Sequence, residues 1–191
     1  MTIEGFENIA IADIPWQRLT TPYGRGSELP RLIVDGQYGE IAGLIEHQST
    51  LWQVTPWVLL LLLRGLKTKH PEEVSPAELH VYHSVADALI GSDLKSIPHM
   101  PQPRLLLDES YLWPVDEEED EVMWEEEEPP GYDELPFSSY YYYSGLLLKD
   151  AIPDFERLKA GNPQISAEVS ELLEKLKPDG TEGAEGAEGA E

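Results

Sequence analysis

The chain has 191 residues, 41% of them apolar, which supplies a core for one ordinary domain with accessory segments. With 37 acidic against 13 basic residues, a net charge of −24 excludes nucleic acid and anionic membranes as partners, because phosphate contacts need Lys and Arg. The absence of cysteine removes disulfides, thiolate catalysis and Cys-ligated zinc.

The opening "MTIEGFENIAIADIPW" has neither the basic start nor the continuous apolar run of a secretory signal, so a cytoplasmic location is expected. In "ADIPWQRL", Asp13 is placed to cap a helix with Pro15 in its first turn. "YGRGSELPRLI" offers a Gly-rich turn and Ser27 as a second N-cap. It lacks the spacing of a phosphate-binding loop, so a turn accounts for it. From Tyr38, Ile41, Leu44 and Ile45 follow helical spacing.

In "TPWVLLLLLRGL", Thr55 reads as N-cap and Pro56 as the first helical residue, whose missing N–H costs nothing there. Apolar residues occupy nearly every face, which predicts a buried central helix. Arg64 ends the run well short of the roughly 20 residues a membrane span needs. "SPAELHVYHSVADALIG" carries a start signal: Ser75 as cap, Pro76 next, and Glu78 completing a capping box. Leu79, Tyr82, Val85, Ala86, Leu89 and Ile90 then form one stripe, and Gly91 suits the position after the helix end.

A short helix is expected over residues 152–159. Another follows Asn162 and Pro163, with Ile165, Val169, Leu172, Leu173 and Leu176 as its stripe and a Glu171–Lys175 pair opposite. Only "PRLLLDE" and "SSYYYYSGLLL" have strand-like composition, so the class is mainly α.

No Lys or Arg occurs from Leu105 to Leu148. Repulsion between like charges one helical turn apart disfavours a packed helix in its most acidic part. Against a plain solvated spacer stand the aromatic residues set among the carboxylates, since Trp and Tyr are enriched at interfaces. The candidate partner-binding set is Asp116, Glu117, Glu118, Glu119, Asp120, Glu121, Glu125, Glu126, Glu127 and Glu128, with Trp113, Trp124 and Tyr132 as anchors. Some of the aromatic rings could instead pin the segment to the helical body. "GTEGAEGAEGAE" has too little apolar surface to order itself and reads as a disordered tail.

Two histidine features bear on catalysis. His47, in "EHQST", would be a general base oriented by Glu46, but no Ser or Cys nucleophile stands beside it, and a polar helix–helix junction is the stronger reading. His80, His83 and Asp87 share one helix face and could hold a metal, yet HExxH is absent and a solvated polar face explains them better. No catalytic residue, cofactor or metal is therefore assigned. A metal-dependent hydrolase using His47, His80, His83 and Asp87 is a further reading that these residues leave open.

The series Trp16, Leu19, Tyr23, Gly24, Pro30, Leu32, followed by His47, Gln48, Thr50, Thr55 and Pro56, resembles bacterial HEAT-repeat-like proteins over roughly the first third of the chain. The resemblance implies a non-enzymatic helical protein, of a kind regarded as the immunity partner of polymorphic or contact-dependent toxins. The expected architecture is a short HEAT-like array with a core over 1–100 and an irregular acidic insertion over 101–145. C-terminal helices over 146–178 complete it, followed by the tail, 179–191. The expected partner is a cognate toxin; the alternative is a scaffold, adaptor or chaperone for another basic protein. The oligomeric state is left open.

Overall fold

The computed structural model describes residues 5–125 and 129–177; the Gly-Ala-Glu tail and Glu126, Glu127 and Glu128 lie outside them. The protein is mainly helical. Two minimal hairpins precede and interrupt the first helices. Strand β1 (Thr20–Thr21) pairs antiparallel with β2 (Gly24–Arg25) around Pro22 and Tyr23. The Thr21 hydroxyl closes this turn, accepting from the Tyr23 N–H and donating to the Gly24 carbonyl.

Helix α1 (Leu29–Asp35) has Pro30 in its first turn and stops at Gly36, whose φ of 66° suits glycine. Ser27 does not cap it: Glu28 holds that position, and no side chain accepts there. Asp13 likewise ends a short 3-10 turn and takes the Ala10 N–H at 2.7 Å, while Trp16–Arg18 forms a separate turn.

Helix α2 (Tyr38–Ile45) runs into β3 (Glu46–His47), which pairs with β4 (Thr50–Leu51). Helix α3 (Thr55–Thr68) follows, starting one residue earlier than its Thr-Pro signal implies. The Thr55 hydroxyl still serves the junction: it accepts from the Trp52 N–H at 2.9 Å and donates to the buried Ile45 carbonyl at 2.5 Å. The end of α2 and the start of α3 are thus fastened by one side chain.

Helix α4 (Pro76–Ala88) starts as its signal predicts, with the Ser75 hydroxyl accepting from the Glu78 N–H at 3.2 Å. The expected capping box does not close. Glu78 is only 1% exposed and turns its carboxylate inward, to the Lys69 ammonium at 2.7 Å and the Tyr82 hydroxyl at 3.3 Å. Ile90 leaves the predicted stripe and is exposed.

The strand-like "SSYYYYSGLLL" is instead the middle of α6 (Glu134–Asp150), and "PRLLL" is a 3-10 turn (Pro103–Leu107). The division expected at residue 145 therefore falls inside a helix. Between these elements lies the short α5 (Glu119–Glu125), within a segment where repulsion argued against one. Helices α7 (Ile152–Gly161) and α8 (Ser166–Lys175) finish the described chain.

Helix α3 packs on α6, α4 lies against α2 and α8, and α7 against α8. One apolar cluster runs from Phe6 to Leu176, with Trp57, Leu59, Tyr82, Leu148 and Phe155 fully enclosed. Leu106, Leu112, Tyr140 and Tyr143 belong to it, so the acidic segment is rooted in the core at both ends. No helix among the described residues is long and apolar enough to cross a membrane.

Candidate partner-binding surface

A segment with no positive charge of its own must find its counter-charge elsewhere. Here the two basic residues of the first 30 supply it. Arg18 donates to the Trp113 carbonyl at 2.6 Å and grips Glu109 with both terminal nitrogens, at 2.9 and 2.6 Å. This bidentate bond holds the Glu109 carboxyl below the usual carboxylate range.

Arg25, on β2, spends all five of its donors. It holds both oxygens of Asp120, at 2.8 and 2.5 Å, and the carbonyls of Gln17, Pro114 and Asp116. The guanidinium is nearly buried by the segment it clamps.

Gln53, at the start of the α3 turn, ties the same segment from inside. Its carbonyl oxygen accepts from the Thr20 N–H and hydroxyl, at 3.0 and 2.9 Å. Its amide donates to the carbonyls of Tyr111 at 2.9 Å and Pro130 at 3.1 Å. One buried amide therefore joins β1 to both ends of the acidic segment. Gly131 makes the approach possible: a Cβ there would stand 2.0 Å from the Gln53 nitrogen.

This mounting corrects the anchor assignment. Trp113 is 1% exposed, and Tyr132 is largely enclosed, its hydroxyl 2.5 Å from that of Thr20. Both rings fix the segment to the body, and the enclosed Trp113 leaves no face for a partner. Burial pushes the hydroxyl pKa values of Tyr132 and Tyr140 far above the ordinary phenol value. The Trp124 ring is outside the described part of the structure.

What faces solvent is the carboxylates. Asp116, Glu117, Glu118, Glu119, Glu121 and Glu125 are exposed, and none forms an ion pair with a described residue. Asp120 differs, since Arg25 has already neutralised it. Val115 (81% exposed) and Val122 (50% exposed) sit among them as apolar contact points.

The histidine candidates fall elsewhere. His47 lies on β3, past the helix end, with Nδ1 3.4 Å from the Tyr23 hydroxyl. Glu46 does not orient it; that carboxylate accepts the Ser49 N–H at 2.8 Å. His83 presents Nε2 to the Glu168 carbonyl at 3.0 Å and Nδ1 to the Lys175 ammonium at 3.2 Å, which makes the first nitrogen the donor. Burial and the Lys175 charge lower its pKa. Lys175 pairs with Asp87 at 2.5 Å rather than with the expected Glu171, and His80 is exposed. Among the described residues, no group of three His, Cys, Asp or Glu side chains is placed to hold a metal ion.

Arg18, Arg25 and Gln53 escaped the sequence reading because their partners lie far along the chain. One signal was available: an acidic block without Lys or Arg that nevertheless keeps buried aromatics needs a cation from another segment. No protein-family model matches the chain, and neither does any curated protein or solved structure.

Proposed function

We propose that this protein is a non-enzymatic immunity protein, a short HEAT-like array that binds and blocks a co-encoded bacterial toxin in the cytoplasm. The observation that carries the reading is the set of exposed carboxylates Asp116, Glu117, Glu118, Glu119 and Glu121, which form no ion pair with a described residue and are held on a mount built by Arg25 and Gln53. A solvated spacer has no use for a buried arginine that spends four of its five donors on it. A fixed acidic arm suits a basic cleft, such as that of a nuclease, which must be positive to hold phosphates. Opposite charge speeds the encounter, and an immunity protein has to reach its toxin before the toxin reaches its target.

The test is co-expression with the product of the adjacent gene, scored for growth rescue and a stable complex. A variant with Asp116, Glu117, Glu118, Glu119 and Glu121 all changed to Ser keeps Asp120 and hence the mount. Its association rate should fall about tenfold or more at low salt and converge on wild type at high salt. An unchanged rate and salt dependence would remove the arm from the interface. A stable complex without growth rescue would point to the adaptor reading instead.

A further inference from the structure

The fold brings together two turn tips that local sequence does not connect. Tyr23, at the tip of the β1–β2 hairpin, is 71% exposed and stands outside the apolar core. Its ring meets that of His47 edge-on, with centroids 5.6 Å apart. Beside His47, the turn of the second hairpin puts Gln48 and Ser49 at φ 52° and 63°. Two consecutive left-handed residues form the favoured hairpin turn, but Asn-Gly is the natural choice for it. Side chains with a Cβ cost about 1 kcal/mol each in that conformation.

The turn is held in spite of that cost. Glu46 accepts the Ser49 N–H, and the Tyr141 hydroxyl donates to the Ser49 carbonyl at 3.2 Å while accepting from the Leu51 N–H at 3.1 Å. Packing gains nothing from this arrangement, since the Gln48 side chain is exposed and bonds to no described residue, and Tyr23 covers no core. Two residues from Tyr23, Arg25 grips Asp120 of the acidic arm. Through that bond the hairpin carrying the aromatic tip is fastened to the acidic segment, whose other carboxylates are exposed.

We propose that these paired tips are a docking point for an arginine side chain of the partner. The guanidinium would lie on the Tyr23 ring, and Gln48 would contact the neighbouring backbone. An exposed electron-rich ring, on a hairpin fastened to an acidic segment, favours a cation. A planar, weakly hydrated guanidinium stacks on such a ring better than the compact ammonium of lysine. This inference rests on the reading of a basic partner and adds a chemical preference to it: the arm supplies attraction, the tips supply selection for arginine.

The probes are fluorescently labelled octa-arginine and octa-lysine peptides, titrated against the full chain at moderate salt. Wild type should bind octa-arginine more tightly, by roughly two- to fivefold for an exposed cation–π contact. Tyr23→Ala should bring the ratio to one, and Tyr23→Trp should keep or raise it; the exposed position leaves folding intact, checked by the thermal melt. The five-carboxylate Ser variant should weaken both peptides while keeping their ratio. No arginine preference in wild type, or one that survives Tyr23→Ala, overturns the inference even if the arm variant weakens both peptides. A Tyr23-dependent preference with no effect of the arm variant sustains the inference and overturns the arm.

Discussion

Gln53 shows how much one buried amide can decide. All four of its bonds go to partners on segments distant in sequence, and its amide nitrogen depends on a glycine opposite. Gly131 has φ 81°, and an added Cβ would also meet the Tyr140 hydroxyl at 2.7 Å and the Tyr111 carbonyl at 3.0 Å. Gly131→Ala therefore adds left-handed strain and displaces Gln53 from two acceptors. The expected loss is about 3 kcal/mol, from about 1–2 kcal/mol of backbone strain and about 1 kcal/mol per hydrogen bond lost. Urea unfolding measures it, and a loss below about 1 kcal/mol would show that the knot rearranges freely.

The helices were legible to different degrees, and α6 explains why. Its tyrosines have strand-like composition, but Pro136, Tyr140, Tyr143, Leu147 and Leu148 are buried at helical spacing. Ser139, Ser144 and Gly145 are buried among them, and their small size admits close neighbours: a Cβ on Gly145 would press Leu94 at 2.5 Å. Period outweighs composition once a long helix can lie along α3. The signals at α3 and α4 were read to within a residue, because Pro placement is local, whereas α8 keeps its apolar stripe but begins at Ser166, past the Pro163 expected to open it. The inward turn of Glu78 was not, since Ser75 and Glu78 suit a capping box whatever lies beneath. Its partner Lys69 also meets the Tyr38 hydroxyl at 2.6 Å. Lys69→Met strands a buried carboxylate and should cost about 3 kcal/mol, whereas adding Glu78→Gln should recover part of that loss. A double-mutant cycle in urea checks this, and equal losses in the single and double variants would deny the pair its role.

At the scale of the whole molecule, the charge imbalance was plain from composition, and its arrangement was not. Arg18 and Arg25 meet carboxylates some 90 residues away (separations of 91 and 95), and no window of local sequence reports a contact of that range. Buried ionisable groups also set the response to alkali. Burial raises the phenol pKa values of Tyr82, Tyr132 and Tyr140, and pushes Tyr143 up to about 12. Burial alone would lower Lys69, but its hydrogen bonds to Glu78 and Tyr38 outweigh that and raise it. In the unfolded chain these groups lose protons at about pH 10 to 10.4. Above that the unfolded state binds fewer protons than the folded one, so stability is intact below about pH 10 and falls as pH rises toward the folded values. The urea midpoint should stay flat from neutral to about pH 9 and then drop, with tyrosinate absorbance rising together with loss of helical signal. Tyrosinate appearing well before the helices melt would contradict the enclosure of these rings.

The knot at Gln53 has a consequence for how such a protein can change over time. Because Tyr111 and Pro130 meet at one amide, the chain leaves and re-enters the body at nearly the same place. Lineages can lengthen, shorten or rewrite what lies between without re-threading the helices, since the entropic cost of a longer closed loop grows only slowly. One condition travels with every replacement: it must bring a carboxylate to Arg25, or that enclosed guanidinium loses its partner. The body is in this sense a socket and the arm its exchangeable insert.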